Sequence, residues 1–108
     1  MEKRPQPRWL KRLFVKFGEG EPTFIGYTTD VSETGLFIKA TTIFPPKTFL
    51  KILLTLPDER VIELTGDVVW SKRVPPQLAR MVRKNGMGIQ LREPPTEYVV
   101  MVQTGRLP

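Results

Sequence analysis

Short runs of alternating apolar and polar residues, each stopped by glycine or proline, leave this chain room for strands and little for helices. From Trp9 to Phe17, the residues Leu13, Val15 and Phe17 alternate with Arg12, Phe14 and Lys16 until Gly18-Glu19-Gly20-Glu21-Pro22 breaks the run. Thr23 to Thr29 and Gly35 to Ala40, rich in β-branched and aromatic residues, flank a short polar turn and read as one antiparallel unit. After Pro45-Pro46, the run Thr48 to Leu56 sets Phe49, Lys51, Leu53 and Thr55 against Leu50, Ile52, Leu54 and Leu56, and Pro57-Asp58-Glu59-Arg60 makes a hairpin turn. Val61 to Lys72 alternates again, its apolar load on Ile62, Leu64 and Val68 through Trp70, with Gly66 marking a bulge or a barrel corner. Gly86 to Leu91 is a last short strand. Thr96 to Val102 differs: Tyr98, Val99 and Val102 sit at helical spacing, and Pro95 suits a first turn. Gln77 to Val82 fits either one helical turn or a loop. About six strands at this spacing imply an all-β fold, a small six-stranded antiparallel β-barrel capped or flanked by a C-terminal helix.

A chain of 108 residues buries one core with little left for a second, so a single domain without an enzyme-sized cleft is expected. It has no cysteine and no histidine, which excludes thiol nucleophiles, disulfides, Cys/His zinc sites and imidazole bases. Metal-independent chemistry by carboxylates has little support, so the chain reads as non-enzymatic, with no catalytic residue, metal or cofactor. No apolar run approaches the roughly 18 residues of a membrane helix, and the basic start leads into alternation rather than a signal core. A cytoplasmic protein with no membrane partner is expected. The net charge of +6 is unevenly laid out: residues 1–16 carry +5, residues 72–84 carry +5, and the stretch between them carries −4. Two basic segments around a mildly acidic body attract phosphates, although a solvated basic surface has the same composition.

The first eight residues, Met1-Glu2-Lys3-Arg4-Pro5-Gln6-Pro7-Arg8, hold two prolines and no apolar residue after Met1. They build neither helix nor core strand and form an extended, mobile arm ahead of a barrel domain over residues 9–108. Between two strand-like runs stands Asp30-Val31-Ser32-Glu33-Thr34-Gly35. Asp30 accepts hydrogen bonds, Ser32 donates and accepts, and Gly35 permits a positive φ or a close approach of the backbone to a ligand. Short polar groups within reach of arginine forks suit an anionic, guanine-bearing ligand.

Taken together, these features resemble the PilZ domain family of cyclic di-GMP receptors, and the likeness runs along the whole chain. Arg4-Pro5-Gln6-Pro7-Arg8 matches the family's Arg-x-x-x-Arg, and Asp30 to Gly35 matches its Asp/Asn-x-Ser-x-x-Gly. Val68-Val69-Trp70 and Gly86-Met87-Gly88-Ile89 look like its later strands. Arg8 to Arg12 also satisfies the first pattern, but in the family the second arginine directly precedes the first strand. Arg4 and Arg8 are therefore preferred, and Arg12 is a solvent-facing fallback. The resemblance implies a receptor for cyclic di-GMP whose arm orders on binding and presents a new surface to a regulated protein partner. The implied output is motility, surface polysaccharide or related bacterial control. Arg4 and Arg8 would clamp the ligand, since a guanidinium pairs with guanine O6 and N7 or with phosphate and stacks on a purine. Asp30 would accept from guanine N1 and N2 or orient an arginine, Ser32 would add a polar contact, and Gly35 would permit the turn. Lys3 would assist at a phosphate. For Trp70, core packing is the first reading and a stacking face at the barrel mouth the second. Gly86 and Gly88 read as a strand device, not a dinucleotide fingerprint.

Two other classes compete. A single-stranded nucleic-acid binder needs several exposed aromatics on adjacent strands as stacking platforms. Here Phe24, Phe37 and Phe49 read as often inward as outward, so nucleic acid is disfavoured as a partner. A ligand-independent adaptor that binds only protein would normally lack the arginines or the Asp-Ser turn, and this chain has both.

Overall fold

A computed structural model describes residues 12–72 and 85–104. The arm over residues 1–8, the start of the first run and the Gln77–Val82 segment lie outside them. Where the alternation is regular, strands form: β1 (Phe14–Gly18), β2 (Phe24–Val31), β3 (Gly35–Lys39), β4 (Phe49–Thr55), β5 (Val61–Lys72) and β6 (Gly86–Leu91), followed by one helix, α1 (Thr96–Thr104). They close into an antiparallel barrel in the order β1-β2-β3-β6-β5-β4, with β4 returning to β1 through Val15↔Leu54 and Phe17↔Ile52. The expected six-stranded antiparallel barrel with a C-terminal helix is the observed fold. Closure matters because a closed sheet has no unpaired edge to offer a partner strand.

The period of two sends Val15, Phe17, Leu50, Ile52, Leu54, Ile62 and Leu64 into one core and leaves Lys16, Lys51 and Glu63 in solvent. α1 adds Tyr98, Met101 and Val102 to that core. The sequence puts Val99 on this face, but residues three and four apart share a helix surface, so Met101 takes the place and Val99 is half-buried. The Pro95 carbonyl accepts the Val99 N–H at 3.2 Å, the first bond of the helix. β1 starts later than the apolar run. Leu13 is still tied to β2, its N–H donating to Thr28 Oγ1 and its carbonyl accepting the Thr28 N–H, both at 2.9 Å.

Two register shifts break the pairing. On β2, Thr28 faces Ile38 and Val31 faces Leu36, so β2 has one residue more than β3 in that interval. On β5, Val68 faces Ile89 and Trp70 faces Gly88, so Val69 is the extra residue against β6. These are β-bulges, and the one on β5 lies at Val69, not at Gly66. Gly66 instead sits where β5 pairs with Leu50 on one side and Leu91 on the other, the barrel-corner alternative. A Cβ there would come within 2.6 Å of the Gln90 carbonyl oxygen.

Candidate ligand-binding groove

The Asp30–Gly35 stretch is part strand and part turn. Asp30 and Val31 end β2, Gly35 begins β3, and Ser32 faces Gly35 across the reversal. The Ser32 N–H donates to the Gly35 carbonyl at 2.8 Å, the Ser32 hydroxyl to the same oxygen at 3.3 Å, and the Thr34 carbonyl accepts the Leu91 N–H at 2.8 Å. Ser32 therefore shapes its own turn as well as facing the groove. Gly35 is required by crowding and not by a positive φ, because a Cβ there would press on the Ile89 carbonyl.

The bulge on β2 decides where Asp30 goes. Thr28 is fully buried, and unbroken alternation would send Asp30 inward after it. The extra residue hands the core position to Val31 and leaves Asp30 on the wall of a surface groove. The bulge on β5 acts the same way on Trp70. Val68 is buried, alternation predicts Trp70 in the core beside it, and the bulge turns the indole out to 47 % exposure. This overturns core packing as the first reading of Trp70. The indole lies over Gly88 and stacks on Phe37, with ring centroids 5.1 Å apart at 25°. Phe37 in turn covers Gly86. A side chain at Gly88 would collide with the indole and one at Gly86 with the phenyl ring, so the two glycines keep the outer face of β6 clear for the aromatic pair.

Asp30, Ser32, Gly35 and Trp70 thus line one open groove of about 450 Å³, with Phe37 and Gly88 in its wall. Among the described residues its lining has a carboxylate and an indole but no cation. Lys3, Arg4 and Arg8 lie outside the described residues. The described chain begins at Arg12, next to Leu13, which is bonded to Thr28 two residues before Asp30. Arg12 is exposed, its guanidinium 4.3 Å above the Tyr27 ring.

One residue of the site escapes sequence reasoning. Tyr98 of α1 is fully buried and donates its hydroxyl to the Ser32 carbonyl at 2.7 Å. Burial first, and the negative charge of Asp30 second, push its phenol well above the usual tyrosine range. The sequence signal was a helical face carrying one polar-tipped residue, which does not say where the tip points.

Phe24 and Phe49, two of the three phenylalanines weighed as stacking platforms, also turn outward. Phe24 is 40 % and Phe49 38 % exposed, which is what a stacking platform for single strands needs. Each already has a neighbour: Phe24 packs edge-on against Phe44 at 5.7 Å, and Phe49 lies 4.6 Å beneath the Arg92 guanidinium, which Asp67 holds through two bonds of 2.8 Å.

Among the described residues no group of three Asp or Glu is placed to hold a metal, and no helix is long and apolar enough to cross a membrane. No curated protein matches the chain. Among solved structures, it is similar to the inhibitor of motility of Bacillus subtilis, MotI/DgrA, at 18 % identity and a TM-score of 0.76. The likeness covers 97 % of this chain and 50 % of that one, so the chain spans half the length of that protein and shares its fold. The family model of the PilZ domain matches residues 2–102, from the arm through the barrel and most of α1, and the chain belongs to the PilZ domain family.

Proposed function

We propose that this chain is a cyclic di-GMP receptor whose N-terminal arm closes over the groove between the β2–β3 turn and Trp70 and so regulates a partner protein. PilZ domains are receptor and adaptor modules without catalytic activity. The observation that carries the reading is the paired re-aiming of Asp30 and Trp70 by two bulges onto one groove. A carboxylate suits the N1 and N2 donors of guanine, and an exposed indole suits the face of the base. The phosphates need cations, and those are assigned to Arg4 and Arg8, with Lys3 assisting. Ordering the arm costs about 1 to 2 kcal/mol of backbone entropy per residue, so an arm without apolar anchors closes only when ligand contacts offset that cost. A regulated protein partner, a cytoplasmic setting and an output such as motility belong to this reading. The name of MotI/DgrA, an inhibitor of motility, is in keeping with such an output.

Calorimetric titration with cyclic di-GMP, with GTP and a short single-stranded oligonucleotide as controls, tests the proposal. Saturable binding of the cyclic dinucleotide alone is expected. Equal response to the oligonucleotide would favour the nucleic-acid reading, which the outward Phe24 and Phe49 support, and no response to any of the three would favour a ligand-independent adaptor.

A further inference from the structure

α1 follows the barrel in sequence, yet one of its side chains ends on the motif turn. The Tyr98 hydroxyl lies 2.7 Å from the Ser32 carbonyl and 3.2 Å from the Gly35 carbonyl. Across the turn itself, the Gly35 N–H reaches that same Ser32 carbonyl only at 3.4 Å. Tyr98 therefore makes the shorter bond to the residue that opens the reversal. The ring beneath is fully buried beside Met101 and Val102. If the two separate, the buried hydroxyl loses its shorter bond and the part-buried carbonyl keeps only the 3.4 Å bond from Gly35, so the turn and the helix are favoured to move together. α1 has nine residues, too few to persist in water without docking, so its order depends on the contacts that hold it to the barrel.

We propose that Tyr98 is a positioning residue that couples α1 to the ligand-binding turn, making α1 a second element, besides the arm, that responds to ligand. The inference rests on the receptor reading of the groove. Linkage makes the coupling reciprocal: ligand that stiffens the turn stiffens α1, and loosening α1 weakens the ligand. A partner reading the α1 surface would then sense occupancy without touching the groove.

Amide exchange of the full chain, in wild type, Tyr98→Phe, Val102→Ala and the double variant, tests this. Tyr98→Phe keeps the ring and deletes the bond; Val102→Ala loosens α1 and leaves the bond in place. Without ligand, Tyr98→Phe is expected to speed exchange at Ser32 and Gly35 about tenfold while β4 amides such as Ile52 change little. Val102→Ala should speed exchange at the same turn when Tyr98 is present and leave it unchanged when Tyr98→Phe is already made. With cyclic di-GMP, α1 amides should slow in wild type and not in Tyr98→Phe, and the affinity of Tyr98→Phe should fall about tenfold. Additive effects of the two substitutions on the turn, or a purely global change that also moves Ile52, would overturn the coupling. Failure of wild type to bind cyclic di-GMP overturns the receptor reading and the response to ligand, and the ligand-free cycle still decides whether Tyr98 couples helix to turn.

Discussion

At Gly88 a side chain and the aromatic pair compete for the same space. A Cβ there meets the Trp70 indole, so Gly88→Val should push the ring off Phe37 and off the groove wall. Trp70→Ala deletes the stacking face outright. Base–aromatic stacking contributes about 1 to 3 kcal/mol, so Trp70→Ala should weaken cyclic di-GMP by about 5- to 150-fold in titration. Because the indole is half exposed, the melting temperature should change little, and an undiminished affinity would remove Trp70 from the site. The cationic residues are tested the same way. Losing a charged hydrogen-bonding partner costs about 1.5 to 3 kcal/mol, so Arg4→Ala and Arg8→Ala should each weaken the ligand about tenfold or more, with stability nearly unchanged. Arg12 is engaged with the Tyr27 ring, and Arg12→Ala should be close to silent in binding. The reverse pattern would shift the arginine assignment by four residues.

Among the elements, the arm is expected to have the opposite character to the β2–β3 hairpin. The hairpin is cross-bonded between Ser32 and Gly35, tied to β6 through Leu91 and seated on Tyr98, so it presents Asp30 from a rigid frame. The segment over residues 1–8 has charge and proline and no apolar residue after Met1. Order parameters measured without ligand should therefore show residues 1–8 as mobile as a free terminus, and with cyclic di-GMP as rigid as β4. Asp30→Ala should abolish most of that difference, because the carboxylate fixes the ligand on which the arginines close. An arm already rigid before ligand is added would move the switching role to another element, α1 first.

For the molecule as a whole, Tyr98 also sets a limit at high pH. Burial, followed by the charge of Asp30, raises its phenol above the ordinary value of 10.0. The folded state therefore holds this proton more tightly than the unfolded chain does. The stability it contributes is complete below the unfolded tyrosine pKa, near 10, and is lost as pH rises from there through the folded value. Denaturant unfolding at about pH 8 and about pH 11 should show wild type losing more stability than Tyr98→Phe. The difference approaches one proton, about 1.4 kcal/mol per pH unit. Equal slopes would mean that the hydroxyl is as accessible in the folded protein as in the unfolded one.

The alternation of Leu50, Ile52 and Leu54 with Lys51 and Leu53, and of Ile62 and Leu64 with Glu63, determined which faces are buried, because side-chain direction in a strand is a local property of period two. The breakers set the ends of the strands, and the Asp30–Gly35 pattern marked the turn that lines the groove. Three features became visible only in the folded molecule. The strand order, with β4 closing onto β1, depends on pairings between residues far apart in the chain. The bulges depend on counting residues against a partner strand, so the periodicity that sent Trp70 inward had no means of registering Val69 as surplus. The bond from Tyr98 to Ser32 joins residues 66 positions apart, and a buried tyrosine's hydroxyl finds its acceptor only when the helix docks. Local pattern specified the strands, and long-range pairing specified the groove.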